Sequence, residues 1–107
     1  MMDAKVVLDE AQPGLSAELA KASIKTRLCA RTAHTYEQWI AQYLAFNGLS
    51  NPFSLSEKNV KEFLRHITRR LSPSRARLNQ AKSALEFFYA QVLKRPLAHS
   101  ALTIPNA

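Results

Sequence analysis

Apolar residues recur at helical spacing through most of this chain, and no segment of useful length alternates as a strand would. The clearest pattern lies in RTAHTYEQWIAQYLAFNG, residues 31–48, where Ala33, Tyr36, Ile40, Tyr43, Leu44 and Asn47 fall within about one third of a turn at ~100° per residue. Trp39 widens that face. Thr32 suits the N-cap and Gly48 the C′ position, which predicts a helix over residues 33–47 followed by a loop through NGLSNPFSL. Val60, Phe63, Leu64, Ile67 and Leu71 form the buried stripe of the next helix, whose start is closed by Ser56 or by a capping box from Ser54 to Glu57. Lys58, Lys61, Arg65 and Arg69 line its outer face. The last helix opens with Ser72 as cap and Pro73 at the first helical position, and runs to about Lys94 before Pro96 stops it. Leu78, Ala81, Leu85, Phe88, Tyr89 and Val92 supply its core face, while Arg75, Asn79, Ser83 and Glu86 look outward. Phe87 points off the main stripe, toward the first predicted helix, a further domain or a neighbouring protomer.

Upstream, LSAELAKASIKTRL has good helix formers and an incomplete apolar edge in Leu15, Leu19 and Leu28, which predicts a short first helix. Residues 1–14 mix small, polar and acidic side chains and end in the turn signal Pro13-Gly14, so they read as a flexible arm. Residues 98–107 read as the start of a linker. The prediction is all-α: a compact bundle of four to five helices over residues 15–97.

Length and composition narrow the chemistry. The 107 residues fit one domain with a modest core. With only two glycines there is no Gly-rich phosphate loop, and no His or Cys pair has metal-ligand spacing, so no cofactor is expected. The single Cys29 has no disulfide partner and is expected to be a buried, inert thiol. No membrane-spanning run or secretory leader is evident, and a cytoplasmic location is expected. His66-Ile67-Thr68-Arg69 spells the His-x-x-Arg pair with which tyrosine recombinases activate a phosphate, but the chain is too short for the catalytic domain that pair belongs to.

Charge changes the picture most. The formal net charge is +7, and Asp3, Asp9, Glu10 and Glu18 against Lys5 leave residues 1–20 at −3, so residues 21–107 carry +10. Such a body suits a polyanion, through steering and counterion release.

Taken in order, Arg31-Thr32, Tyr36, Trp39-Ile40 and Phe46, then Pro52, Val60, Phe63-Leu64, and finally Asn79-Gln80-Ala81, Ala84-Leu85, Phe87, Tyr89 and Val92-Leu93 carry a resemblance. The chain resembles the N-terminal core-binding, SAM-like domain of the tyrosine recombinase or phage integrase family, especially integron integrases. It departs from the family pattern at Ala76-Arg77, where a Ser-Thr pair is usual, and at Lys82, where an apolar residue is common. The resemblance implies a non-catalytic jaw that closes on a recombination site in duplex DNA, together with the catalytic domain of the same full-length protein. It also implies other protomers, in a tetramer on two sites.

In such domains the second and fourth helices cross the major groove, and the polar positions of this sequence agree. Arg31, His34, Gln38 and Gln42 lie opposite the Tyr36 and Ile40 stripe, with Thr32 and Thr35 near a helix start suited to phosphate. Arg69, Arg70, Arg75 and Arg77 are candidate phosphate contacts. Asn79, Gln80 and Gln38 are candidate base readers, with Lys82 and Ser83 beside them. Trp39, Phe63, Phe88 and Tyr89 are assigned to packing. The competing reading is a basic helical protein-interaction domain without DNA binding. A helix-turn-helix regulator fits less well, because the loop before the third predicted helix is too long.

Overall fold

The computed structural model describes residues 3–70 and 74–98, which hold five α-helices and no strand. They are α1 (Ala4–Ala11), α2 (Leu15–Lys25), α3 (Ala30–Phe46), α4 (Glu57–Arg70) and α5 (Arg75–Phe87). A 3₁₀ turn, Pro52–Ser54, precedes α4, and a π turn, Phe88–Val92, extends α5. Leu71, Ser72 and Pro73, and residues 99–107 of the segment expected to begin a linker, lie outside the described residues.

Helix α3 is the axis of the fold. Ile40, Tyr43 and Leu44 are fully enclosed, with Trp39 and Ala41 nearly so, because a 17-residue helix presents this stripe to neighbours on more than one side. Helix α4 closes one flank with Val60, Phe63, Leu64 and Ile67, and α5 another with Ala81, Ala84 and Leu85. Tyr43 joins the three helices. Its ring meets Phe63 edge-on at 5.4 Å, and its hydroxyl hydrogen-bonds that of Tyr89 at 2.6 Å. Burial pushes both phenols above their ordinary value; their hydrogen bond adds to that rise at Tyr43 and opposes it at Tyr89.

The first residues correct the sequence reading. Within the segment expected to be a flexible arm, Ala4–Ala11 form α1, which buries Ala4, Val7, Leu8 and Ala11 in the common core. Asp3 caps it by accepting from the Lys5 N–H. Burying Leu8 alone removes about 2 kcal/mol worth of apolar surface from water, enough to hold a short helix that would not form by itself. Asp9 ties α1 to α2: its carboxylate accepts from the Ser16 N–H at 3.1 Å and from the Ser16 hydroxyl at 2.9 Å. Those bonds, the backbone one first, hold the Asp9 carboxyl below its ordinary value.

Helix starts differ from expectation at α3 and α5, while at α4 one of the two expected closures holds. Cys29, not Thr32, is the N-cap of α3, so that helix begins a turn's worth of residues earlier than predicted. Ser56 closes the start of α4, its N–H donating to the Asn59 side chain at 2.9 Å, and Ser54 instead bonds back to the Asn51 carbonyl. Ser74, rather than Ser72, caps α5 by accepting from the Arg77 N–H. Gly48 takes the left-handed C′ position as expected, with φ of 68°.

Past the π turn the backbone reverses at Lys94 and crosses toward the start of α4. The Arg95 N–H donates to the Tyr89 carbonyl at 2.8 Å, its guanidinium to the Leu55 carbonyl at 2.7 Å, and the Ala98 N–H to the Glu57 carboxylate at 2.5 Å. The π turn places Phe88 and Tyr89 together in the core. Phe87 is left to pack on Tyr36 of α3, with ring centroids 5.5 Å apart, so its partner lies inside this chain.

Candidate nucleic-acid interface

The first turns of α3 and the first half of α5 lie side by side, and a groove of about 340 Å³ runs between them. Arg31, Thr32, Thr35 and Tyr36 line it from α3, and Ala76, Asn79, Gln80 and Ser83 from α5. Both walls follow from helix periodicity. Thr32, Thr35 and Tyr36 stack along one edge of α3, and Ala76, Asn79, Gln80 and Ser83 along one edge of α5. Hydroxyls, carboxamides and one guanidinium make up its polar lining; no carboxylate lines it.

Arg77, next in sequence to the groove residue Ala76, holds its guanidinium over the Trp39 ring, 5.7 Å from the centroid, a contact that limits where the exposed cation can go. Trp39 is 3% exposed, as expected of a packing residue rather than a base-stacking one. Cys29 is exposed at the N-cap of α3, which corrects the expectation of a buried thiol. Its sulfur pairs with the Thr32 hydroxyl at 3.1 Å, and that bond, ahead of the Thr32 backbone N–H and the Arg31 charge, holds the thiol below its ordinary value.

The predicted residues do not all meet. Arg31, Thr32, Thr35, Asn79, Gln80 and Ser83 share the groove. Gln42 lies in a second depression between α3 and α4, with Phe46, Phe63, His66 and Ile67. Arg69 and Arg70 line a shallow site on α4 with Glu62, Arg65 and His66. His34, Gln38 and Arg75 are exposed and Lys82 is half-buried, and none of them lines the α3–α5 groove or the two sites beside α4. Tyr36 and Ala76 were not among the predicted site residues: Tyr36 lies on the apolar stripe of α3, and the exposed Ala76 offers no polar group. His66 of the His-x-x-Arg sequence packs its ring on Phe46, 4.8 Å between centroids.

Among the described residues the one ion pair joins Lys21 to Glu18 at 3.9 Å, both exposed, and Arg31, Arg69, Arg70, Arg75 and Arg77 form none with a described carboxylate. No helix among the described residues is long and apolar enough to cross a membrane.

The family model described as Phage integrase, N-terminal SAM-like domain, matches residues 16–99. The chain belongs to that family. Two relatives, each named Integrase/recombinase, from Escherichia coli and Pseudomonas aeruginosa, are each 33% identical over 63 residues. That match covers 59% of this chain and 19% of each relative, so the chain spans about a fifth of the relatives' length. A recombinase-related role follows for this SAM-like domain. The family is the N-terminal part of integrases, which lacks their catalytic domain. The matched region takes in α2 to α5, including both walls of the groove, and leaves α1 outside it.

Proposed function

We propose that this SAM-like domain binds duplex DNA through the α3–α5 groove and its basic rim. It would form one jaw of a clamp whose other jaw is the catalytic domain of a full-length site-specific tyrosine recombinase. The observation that carries the reading is the groove's lining. A single edge of each helix brings Arg31, Thr32 and Thr35 opposite Asn79, Gln80 and Ser83, with no carboxylate between them. Carboxamides read base edges, and adenine above all, while hydroxyls and arginine hold phosphates. Arg77 at the rim and Arg75 beside it add phosphate contacts, and Arg69 and Arg70 extend the cationic surface across the end of α4. Gln38, His34 and Lys82 flank the groove in this reading, and Gln42 lies too far round α3 to share it. Strand cleavage belongs to the catalytic domain, and protomers gather as a tetramer on two recombination sites. An integron integrase is the specific member the sequence blocks fit best.

The test is an NMR titration of the labelled domain with a duplex at low salt and at ~200 mM, a range over which phosphate-driven binding weakens steeply. Shifts at Arg31, Thr32, Thr35, Asn79, Gln80 and Ser83 that fade with salt are expected. Absence of shifts at low salt, or shifts spread over the acidic surface of α1, would favour a protein-interaction domain instead.

A further inference from the structure

The turn between α2 and α3 carries a conformational oddity. Helix α2 ends in a Schellman arrangement: the Leu28 N–H donates to the Ser23 carbonyl at 3.0 Å and the Arg27 N–H to the Ile24 carbonyl at 3.1 Å. The C′ residue of that motif is left-handed, the position where glycine is the default, and here it is Arg27 with φ of 59°. A residue with a Cβ carries a steric penalty in this conformation that glycine does not.

Its surroundings are cationic and open. From residue 19 to residue 36 the sequence contains Lys21, Lys25, Arg27 and Arg31 and no Asp or Glu. Lys21 is paired with Glu18, whereas Lys25, Arg27 and Arg31 have no carboxylate partner among the described residues. Ile24 in the same turn is 78% exposed, against 39–52% for Val6, Phe46 and Phe53, so the corner presents an apolar side chain to the outside among cations. Arg27 is four residues from Arg31, which lines the groove; four residues span at most about 14 Å. Each strand of duplex DNA carries one phosphate for about every 3.4 Å of helix axis, so a backbone passing Arg31 brings a further phosphate within that distance.

We infer that the α2–α3 corner is a second DNA contact outside the groove, with Arg27 holding a backbone phosphate and Ile24 and Lys25 beside it. The inference rests on the reading of this domain as a duplex-DNA binder. It assigns Arg27 a positioning contact that fixes the duplex over the α3 N-terminus and carries no base discrimination.

The experiment compares the unaltered chain with Arg27→Gly, Arg27→Lys and Lys94→Gly in two measurements: thermal unfolding, and fluorescence anisotropy of a labelled duplex over a salt series. Lys94 is the matched control, since it too is a cation at a left-handed helix end, with φ of 58°, and lines no part of the groove. Both glycine variants are expected to melt higher, by about 4 °C, because the left-handed residue is relieved. Arg27→Gly alone is expected to weaken binding several-fold and to lower the slope of log affinity against log salt by about 1, with Arg27→Lys keeping the slope. An unchanged slope in Arg27→Gly, or an equal loss in Lys94→Gly, would overturn the inference while leaving groove binding intact. Failure of the unaltered chain to bind any duplex would overturn the DNA reading and this inference with it.

Discussion

The hydrogen bond between Tyr43 and Tyr89 sets how α3 and the end of α5 pack, and its removal has a calculable consequence. The two hydroxyls are 2.6 Å apart in a core where both side chains are almost fully enclosed, and each is the other's hydrogen-bond partner. Tyr43→Phe therefore leaves the Tyr89 hydroxyl in the interior with nothing to bond, and Tyr89→Phe does the same to Tyr43. Stranding a buried polar group costs about 2 kcal/mol, so each single change is expected to lower the melting temperature by roughly 10 °C in a domain of this size. Replacing both removes the stranded group along with the bond. The double variant should consequently lose less than about 1 kcal/mol, giving a coupling of about 3 kcal/mol in a double-mutant cycle. Urea unfolding followed by fluorescence of the single tryptophan suits the assay, since Trp39 is buried and carries Arg77 against its ring on the α3–α5 side. If the double variant loses the sum of the two singles, the hydroxyls do not act as a pair and the reasoning is refuted.

Other consequences are open to measurement. Leu8→Ala should lower unfolding free energy by about 3 kcal/mol in urea, because Leu8 is fully enclosed against the core; an unchanged midpoint would return residues 4–11 to the status of a detached arm. Alkaline pH should unfold the domain through its buried phenols. Burial raises Tyr43 and Tyr89 above the ordinary value of 10.0, so their contribution is complete below about pH 10 and is lost as pH climbs toward the folded-state values. Tyrosinate absorbance of these two residues should appear together with loss of helical circular dichroism, and ionisation in the still-folded domain would contradict their burial.

Residues with regular spacing were readable in advance, and those whose role depends on a neighbour were not. Tyr36, Ile40, Tyr43 and Leu44 recur at helical intervals and identify α3; Val60, Phe63, Leu64 and Ile67 identify α4 equally well. Helix α1 was missed because its core face is built from alanines and adjacent valine and leucine beside acids, a pattern too short to outweigh the Pro13-Gly14 turn. Cap identities were legible as residue types near each start, yet Cys29 escaped notice because a thiol is an uncommon N-cap. Six of the eight residues that line the groove followed from polar edges on α3 and α5. Which edge faces which is a property of the crossing of the two helices, and that crossing is what gathers Arg31, Thr32, Thr35, Asn79, Gln80 and Ser83 while leaving Gln42, Arg69 and Arg70 elsewhere. Arg27 gave one readable sign, an acid-free run around it, but its left-handed backbone is visible only in three dimensions.

The fastening of residues 95–98 onto the start of α4 determines the origin of any leash that follows. A segment released at Leu93 would begin its excursion at the tip of the last helix, whereas Arg95 on the Leu55 carbonyl and Ala98 on the Glu57 carboxylate move that origin to another edge of the bundle. Five residues of slack, 94–98, are thereby withdrawn, about 18 Å of contour at full extension. For two bodies joined by a short connector, the local concentration each sees of the other depends on connector length and on where it is rooted. In the proposed clamp, cutting the Arg95 anchor would therefore alter how often the tethered jaw meets the groove, even though no groove residue had changed.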